Sequence, residues 1–197
     1  MTIMSDHAYH HGNLRSVLLA EAERTLRDDG IDRLSLRELA RRAGVSSAAP
    51  RRHFPDRQAL LDALAGVGFD RLAEEIGAAT DRAGADYPAR LRAAAIAYIR
   101  FATRDGALVD LMFAAKTRVG HAVPAEGPAR LFATAGELIA EGQRTGALPS
   151  GDPDRLRLLL IATLQGVATL ITSGRAPAEL ADPLAADAVA LFLREHR

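Results

Sequence analysis

Six arginines crowd one short stretch of the chain. Arg37, Arg41, Arg42, Arg51, Arg52 and Arg57 fall within residues 35–57, where only Glu38 and Asp56 oppose them, a local balance of +4 in a protein whose 25 basic and 25 acidic side chains cancel. The chemistry open to such a cluster is anion recognition, because guanidinium groups neutralise phosphates and donate hydrogen bonds in a planar fork. Among them lie Ser46, Ser47, Ala48 and Ala49. Side chains this small let a helix N-terminus, with its unpaired N–H groups, approach a phosphate or enter a major groove. Arg37, Arg51, Arg52, His53 and Arg57 lie where phosphates or base edges come within reach.

Covalent and metal chemistry have little to work with. The chain has no cysteine, which excludes thiolate catalysis, disulfides and cysteine-ligated zinc. It has no Gly-x-Ser-x-Gly, no phosphate-binding glycine loop and no His-Glu-x-x-His. His7, His10 and His11 have no carboxylate cluster beside them to complete a metal site and read as part of a disordered N-terminal arm. No cofactor, no metal and no enzymatic activity are expected.

A second group of residues suits small-molecule binding. Tyr98, Phe101, Met112 and Phe113 recur at helical spacing, as core residues or pocket walls do. Arg100 and Gln165 are polar in apolar surroundings. If buried they need partners: a ligand's polar group, each other, or a backbone carbonyl.

The elements that must position these groups are helical. Alanine and leucine dominate a sequence that is 48% hydrophobic and 5% aromatic, and β-branched runs are scarce. Leu14, Val17, Leu18, Ala22 and Leu26 mark a first amphipathic helix that Asp28, Asp29 and Gly30 close. Ser35 and Glu38 fit a capping box for a short second helix from Leu36, with Gly44 as its stop. Ser46 or Ser47 can cap a short third helix before Pro55, with Pro50 in its first turn if Ser47 is the cap. Asp56 caps a long fourth helix reaching Ile76, and Gly77 to Pro88 reads as a joint. Further helices are expected over 91–104, up to Ala115, over Leu131–Thr145 and Asp154–Thr172, with Gly120 to Pro128 as a linker. The last helix is expected to be capped by Asp182, with Pro183 at its first position. That makes about nine helices and no repeat. The apolar run Leu158 to Thr172 has 15 residues, short of the ~20 that span a bilayer, so it reads as a buried helix and no membrane partner is expected. Met1 to His11 lacks the apolar core of a secretory signal, so a cytoplasmic location is expected.

Two short helices around a glycine corner, set in the arginine island, suggest helix-turn-helix DNA binding. At fixed spacing the chain reads Leu34-Ser-Leu-Arg-Glu-Leu-Ala-Arg-Arg-Ala-Gly-Val-Ser, then His53-Phe-Pro-Asp-Arg-Gln-Ala-Leu-Leu. Through residues 12–64 this resembles the TetR family of transcriptional regulators. The resemblance implies a helix-turn-helix motif over 35–54 within a DNA-binding domain at 10–57, and contact of Arg57 with the DNA backbone. Where that family commonly has a leucine followed by a tyrosine, this chain has Pro50 and Arg51, and Arg51 can serve as a phosphate or guanine contact. Tyr98-Ile-Arg-Phe-Ala followed by Leu111-Met-Phe resembles a subgroup that also carries a tryptophan and a histidine before a glycine; here Ile161 and Gln165 precede Gly166.

The resemblance further implies a ligand-binding and dimerisation domain at 58–197. Its last two helices would pair with a second copy through Leu160, Leu164, Leu184, Ala188, Leu191 and Phe192. The expectation is thus an all-α homodimeric regulator, a repressor rather than an activator. It would bind a pseudo-palindromic double-stranded operator and be released by a small-molecule effector. The rival reading is an all-α small-molecule-binding protein or enzyme without sequence-specific DNA binding.

Overall fold

The central element is a 26-residue helix that begins where the arginine island ends, in a computed structural model that describes residues 14–116 and 126–193. Among the described residues there are eight α-helices and no strand: α1 (Leu14–Asp29), α2 (Leu36–Arg42), α3 (Arg57–Arg82), α4 (Tyr87–Arg104), α5 (Gly106–Lys116), α6 (Glu126–Arg144), α7 (Pro153–Thr172) and α8 (Ala181–Ala190). Short 3₁₀ turns at Ile31–Arg33, Pro50–Arg52 and Ala178–Leu180 join them. The arm bearing His7, His10 and His11, and residues 120–125 of the expected linker, lie outside the described residues.

α3 packs against α1, α4, α5 and α6. Asp56 starts it by accepting from Ala59 N–H at 2.8 Å, satisfying a donor that has no partner within the helix. The helix does not stop at Gly77, where a joint was expected. Ile76 and Thr80 are buried on its inner face, and Thr80 Oγ1 donates to the Gly77 carbonyl at 2.8 Å. Burial on both sides of the glycine outweighs its modest helix penalty. The turn comes at Gly84, whose φ of 78° suits a residue without a Cβ. Asp86 then caps α4 by accepting from Ala89 N–H, with Pro88 in the first turn. α4 therefore begins at Tyr87 rather than residue 91, because a proline is tolerated at a helix start.

One apolar cluster runs from Leu18 and Leu39 through Leu64, Phe69 and Phe101 to Val189. α4 and α6 interlock tightly: Tyr87 Oη donates to the Leu138 carbonyl at 3.0 Å, and a Cβ at Gly142 would fall 2.1 Å from that hydroxyl oxygen. Only Leu164, Ala168 and Ile171 of α7 are buried. Leu158, Leu159 and Leu170 stand exposed on its outer side, together with Leu191 beyond α8. α7 is long and apolar enough to cross a membrane by length and composition alone, with a mean hydropathy of 1.4 over 18 residues, of which 17% are buried. The expectation of a buried helix holds for one side of α7 and fails for the other.

α8 starts one residue before its expected cap. Its first turn has no side-chain cap, because the Asp182 carboxylate is engaged by the Arg100 guanidinium, with Nε to Oδ1 at 2.9 Å.

Candidate nucleic-acid interface

The geometry of the arginine island follows from its caps. Ser35 Oγ accepts from Glu38 N–H at 3.2 Å and starts α2. At the other end Gly44 adopts a φ of 67°, its N–H donates to the Arg41 carbonyl, and Val45 N–H donates to the Ala40 carbonyl at 3.0 Å. This pair of bonds is a Schellman ending, which fixes the direction in which the chain leaves α2.

Residues 46–53 do not form the expected third α-helix. Pro50 has no N–H to offer the Ser46 carbonyl, and its ring crowds the turn before it. The backbone therefore closes largely in i→i−3 steps: Ala49 to Ser46, Arg52 to Ala49 and His53 to Pro50, at 3.0–3.2 Å. Neither Ser46 nor Ser47 makes a capping bond to this 3₁₀ turn. Ser46, Ser47 and Ala48 are exposed and Ala49 is half-buried. Pro50 and Phe54 are buried, anchoring the segment at its middle and just past its end, and the Arg15 guanidinium lies 5.5 Å from the Phe54 ring centroid. Nothing in the spacing of the sequence pointed to Arg15.

The six arginines divide into two sets. Arg42 is a structural tie, donating to Thr25 Oγ1 and Asp29 Oδ2 on α1 and to Glu38. Arg41 also binds Glu38, Nε to Oε2 at 2.9 Å. Glu38 thus serves two arginines rather than reaching back to Ser35, and their hydrogen bonds hold its carboxyl at about 2. Arg57 donates to the Leu34 carbonyl at 2.8 Å and the Ile31 carbonyl at 2.6 Å, clamping the α1–α2 connection onto the start of α3. Arg37, Arg51, Arg52 and His53 are exposed and have no acidic partner among the described residues. These last are the groups free to meet an anion.

Residues 18–64, from α1 into the start of α3, match the family model described as bacterial regulatory proteins, tetR family. The chain belongs to the TetR family. It is similar throughout to a protein of unknown function from Rhodococcus sp. RHA1, at 42% identity and a TM-score of 0.86, covering 95% of this chain and 97% of that one. It shares its fold with a TetR family transcription regulator from Marinobacter aquaeolei VT8, at 19% identity, 93% and 97% coverage and a TM-score of 0.73. A bacterial regulatory protein in the tetR family from Rhodococcus RHA1 shares the fold too, at 18% identity, 90% and 96% coverage and a TM-score of 0.71. No curated protein matches the chain.

In this TetR-family chain the expected ligand residues are split up. Tyr98 and Phe113 border a narrow cavity of about 80 Å³ walled mainly by α4, α6 and α7, with Ile76 of α3 and Phe113 of α5 closing it. Phe101 and Met112 are fully buried packing residues. Arg100 is exposed and tied to Asp182, outside the cavity. Gln165 lies in a separate surface groove that Tyr98 also borders. Burial pushes the Tyr98 phenol up to about 12, and the Gln165 amide beside it offsets this only in part. The sequence reading missed Arg157 and Phe132, which also line the cavity and lie 5.6 Å apart, guanidinium carbon to ring centroid.

Several residues expected at a dimer surface face inward. Leu160 and Leu164 line the same cavity, and Leu164 and Ala188 are buried within the chain. Leu184 and Phe192 are half-buried, and Leu191 alone of the set is fully exposed, at 82%. An apolar residue on a helix with two apolar sides cannot be assigned to either side by periodicity alone.

Proposed function

We propose that this chain is a cytoplasmic, ligand-responsive transcriptional repressor that binds a pseudo-palindromic operator as a homodimer. Residues 10–57 form the DNA-binding unit and residues 58–197 the effector-binding and dimerisation unit. The observation that carries the reading is the set of exposed Arg37, Arg51 and Arg52 around a turn fixed by Ser35, Gly44 and Pro50. Guanidinium groups without acidic neighbours keep their full charge for phosphates or guanine edges, and the small side chains at 46–49 let the backbone approach the groove.

The same reading assigns the exposed apolar row of α7 to a second copy. Leu158, Leu159, Ala162, Gly166, Thr169 and Leu170 fall on one side of the helix, and nothing lies within 4 Å of a Cβ built at Gly166. Covering such a row in a dimer removes apolar surface from water at about 25 cal/mol per Å². Two reading segments then stand about 34–36 Å apart, one turn of DNA. An effector that prefers one arrangement of α4, α6 and α7 shifts DNA affinity by its differential binding to the two states.

A gel-shift with the DNA upstream of the protein's own gene, with unrelated competitor DNA and a salt titration, tests the reading. A specific complex that survives competitor supports it. Binding without sequence preference, or no binding, overturns it.

A further inference from the structure

We infer that the cavity between α4, α6 and α7 takes an apolar, uncharged molecule with a single hydrogen-bonding group, which docks on the Tyr98 hydroxyl. The inference deepens the effector reading above and rests on it. Leu91, Ala95, Leu131, Leu138, Ile139 and Leu164 line the space, so a ligand gains by burying apolar surface and has almost nowhere to place a charge.

Tyr98 is 6% exposed, and its Oη is the one buried side-chain polar atom among the described residues without a hydrogen-bond partner. Buried polar groups are nearly always paired, and an exception calls for an explanation. A phenol both donates and accepts, so an alcohol, ketone, ester or amide oxygen on a ligand would satisfy it. Left unpaired, the hydroxyl costs more to bury than a phenylalanine ring would.

Among the described residues Arg157 is the one cation lining the cavity, and it is already engaged by Asp154 at 2.9 Å and by the Phe132 ring. A carboxylate ligand would have to share that guanidinium with Asp154 and give up its hydration among apolar side chains. A neutral ligand avoids that desolvation. Size supplies the link to regulation. At about 80 Å³ the cavity is roughly half the ~150 Å³ apolar cavity that admits benzene, so any ligand of several carbons must spread its walls. One wall belongs to α7, whose other side is the exposed apolar row.

The test uses the full chain without DNA, titrated calorimetrically and by thermal shift with 1-octanol and with sodium octanoate at neutral pH. The expected result is saturable binding of 1-octanol that raises Tm, with octanoate at least ten-fold weaker. Tyr98→Phe should fold with an unliganded Tm no lower than that of the parent, yet bind 1-octanol about five- to ten-fold more weakly, the loss of one neutral hydrogen bond. Ala135→Leu, which fills the cavity, should abolish binding. Octanoate binding as tightly as octanol, or octanol affinity unchanged in Tyr98→Phe, overturns the ligand class but leaves an effector site. No binding of either probe to a chain that still shifts its DNA overturns the cavity as a ligand site, with the DNA-binding reading intact.

Discussion

Arg27 in α1 and Asp105 at the junction of α4 and α5 stand 78 positions apart in the chain and 3.3 Å apart in space. Asp105, with its side chain 3% exposed, also accepts from Arg104 Nε at 2.7 Å. Arg104 reaches on to Glu75, Arg27 to Glu23, and Glu23 to Arg71. The Arg71 guanidinium beside Glu23 holds that carboxyl below the usual range. This chain of ion pairs ties α1, against which the Pro50–Arg52 turn packs, to α3 and to the end of the cavity helix α4.

Replacing Asp105 with alanine should therefore weaken stability. A fully buried pair broken on one side costs about 3–5 kcal/mol. Arg27 and Arg104 are each about half exposed and can rehydrate, so the expected loss is about 1–2 kcal/mol after discounting for solvent. Urea unfolding measures it. An unchanged midpoint would mean that the ion pairs are incidental.

Glu38 should show a pH signature. Its carboxyl lies at about 2, below the ordinary 4.5, because Arg41 and Arg42 hydrogen-bond the charged form. Its contribution to stability is fully present above pH 4.5 and is lost as pH falls through about 2. Carboxyl NMR titration should place the midpoint near 2, and Glu38→Gln should flatten the stability profile between those two values. A midpoint at the ordinary value would show that the arginines do not hold it.

The local signals in the sequence proved accurate where a residue acts on its own neighbours. Ser35, Gly44 and Asp56 cap or end the helices assigned to them, since a cap needs only the next few residues. What stayed hidden depends on distant partners or on competition between local rules. Asp182 has the sequence of a cap and is taken instead by Arg100, 82 positions away. Pro50 was compatible with an α-helix in one register, yet the backbone chose 3₁₀ turns around it. In the candidate interface the arginine count was legible, but not its division into Arg42 and Arg57, which brace the head, and Arg37, Arg51 and Arg52, which remain free. That division depends on Asp29 and on the carbonyls of Ile31 and Leu34. For the cavity, Tyr98 and Phe113 stood out as aromatics, whereas α6 offered no cue that Leu131 and Leu138 face the same space.

Arg57 should behave as a brace. Arg57→Ala removes two charge-assisted bonds to the Leu34 and Ile31 carbonyls. Since such bonds contribute about 1.5–3 kcal/mol each at most and this side chain is exposed, a loss of about 1–2 kcal/mol is expected. Thermal unfolding of the variant checks this. Full stability with a reduced salt dependence of DNA binding would instead make Arg57 a phosphate contact.

The dimer surface can be tested without disturbing the core. Leu158 and Leu191 are 67% and 82% exposed, so Leu158→Glu with Leu191→Glu should leave the fold intact. Light scattering after size exclusion should report a monomer of normal helicity. A dimer unaffected by both charges would place the interface elsewhere.

In the proposed complex the exposed arginines of the 46–53 segment and its flank meet DNA phosphates or bases. The most direct measurement is the salt dependence of DNA affinity for the parent chain, Arg51→Ala, Arg52→Ala, and Arg144→Ala in α6 as a control. Each lost phosphate contact flattens the slope of log K against log salt by about 0.9. The account predicts that flattening and a weaker complex for either head variant, with the α6 control unchanged. Equal slopes and affinities in all four proteins would contradict it.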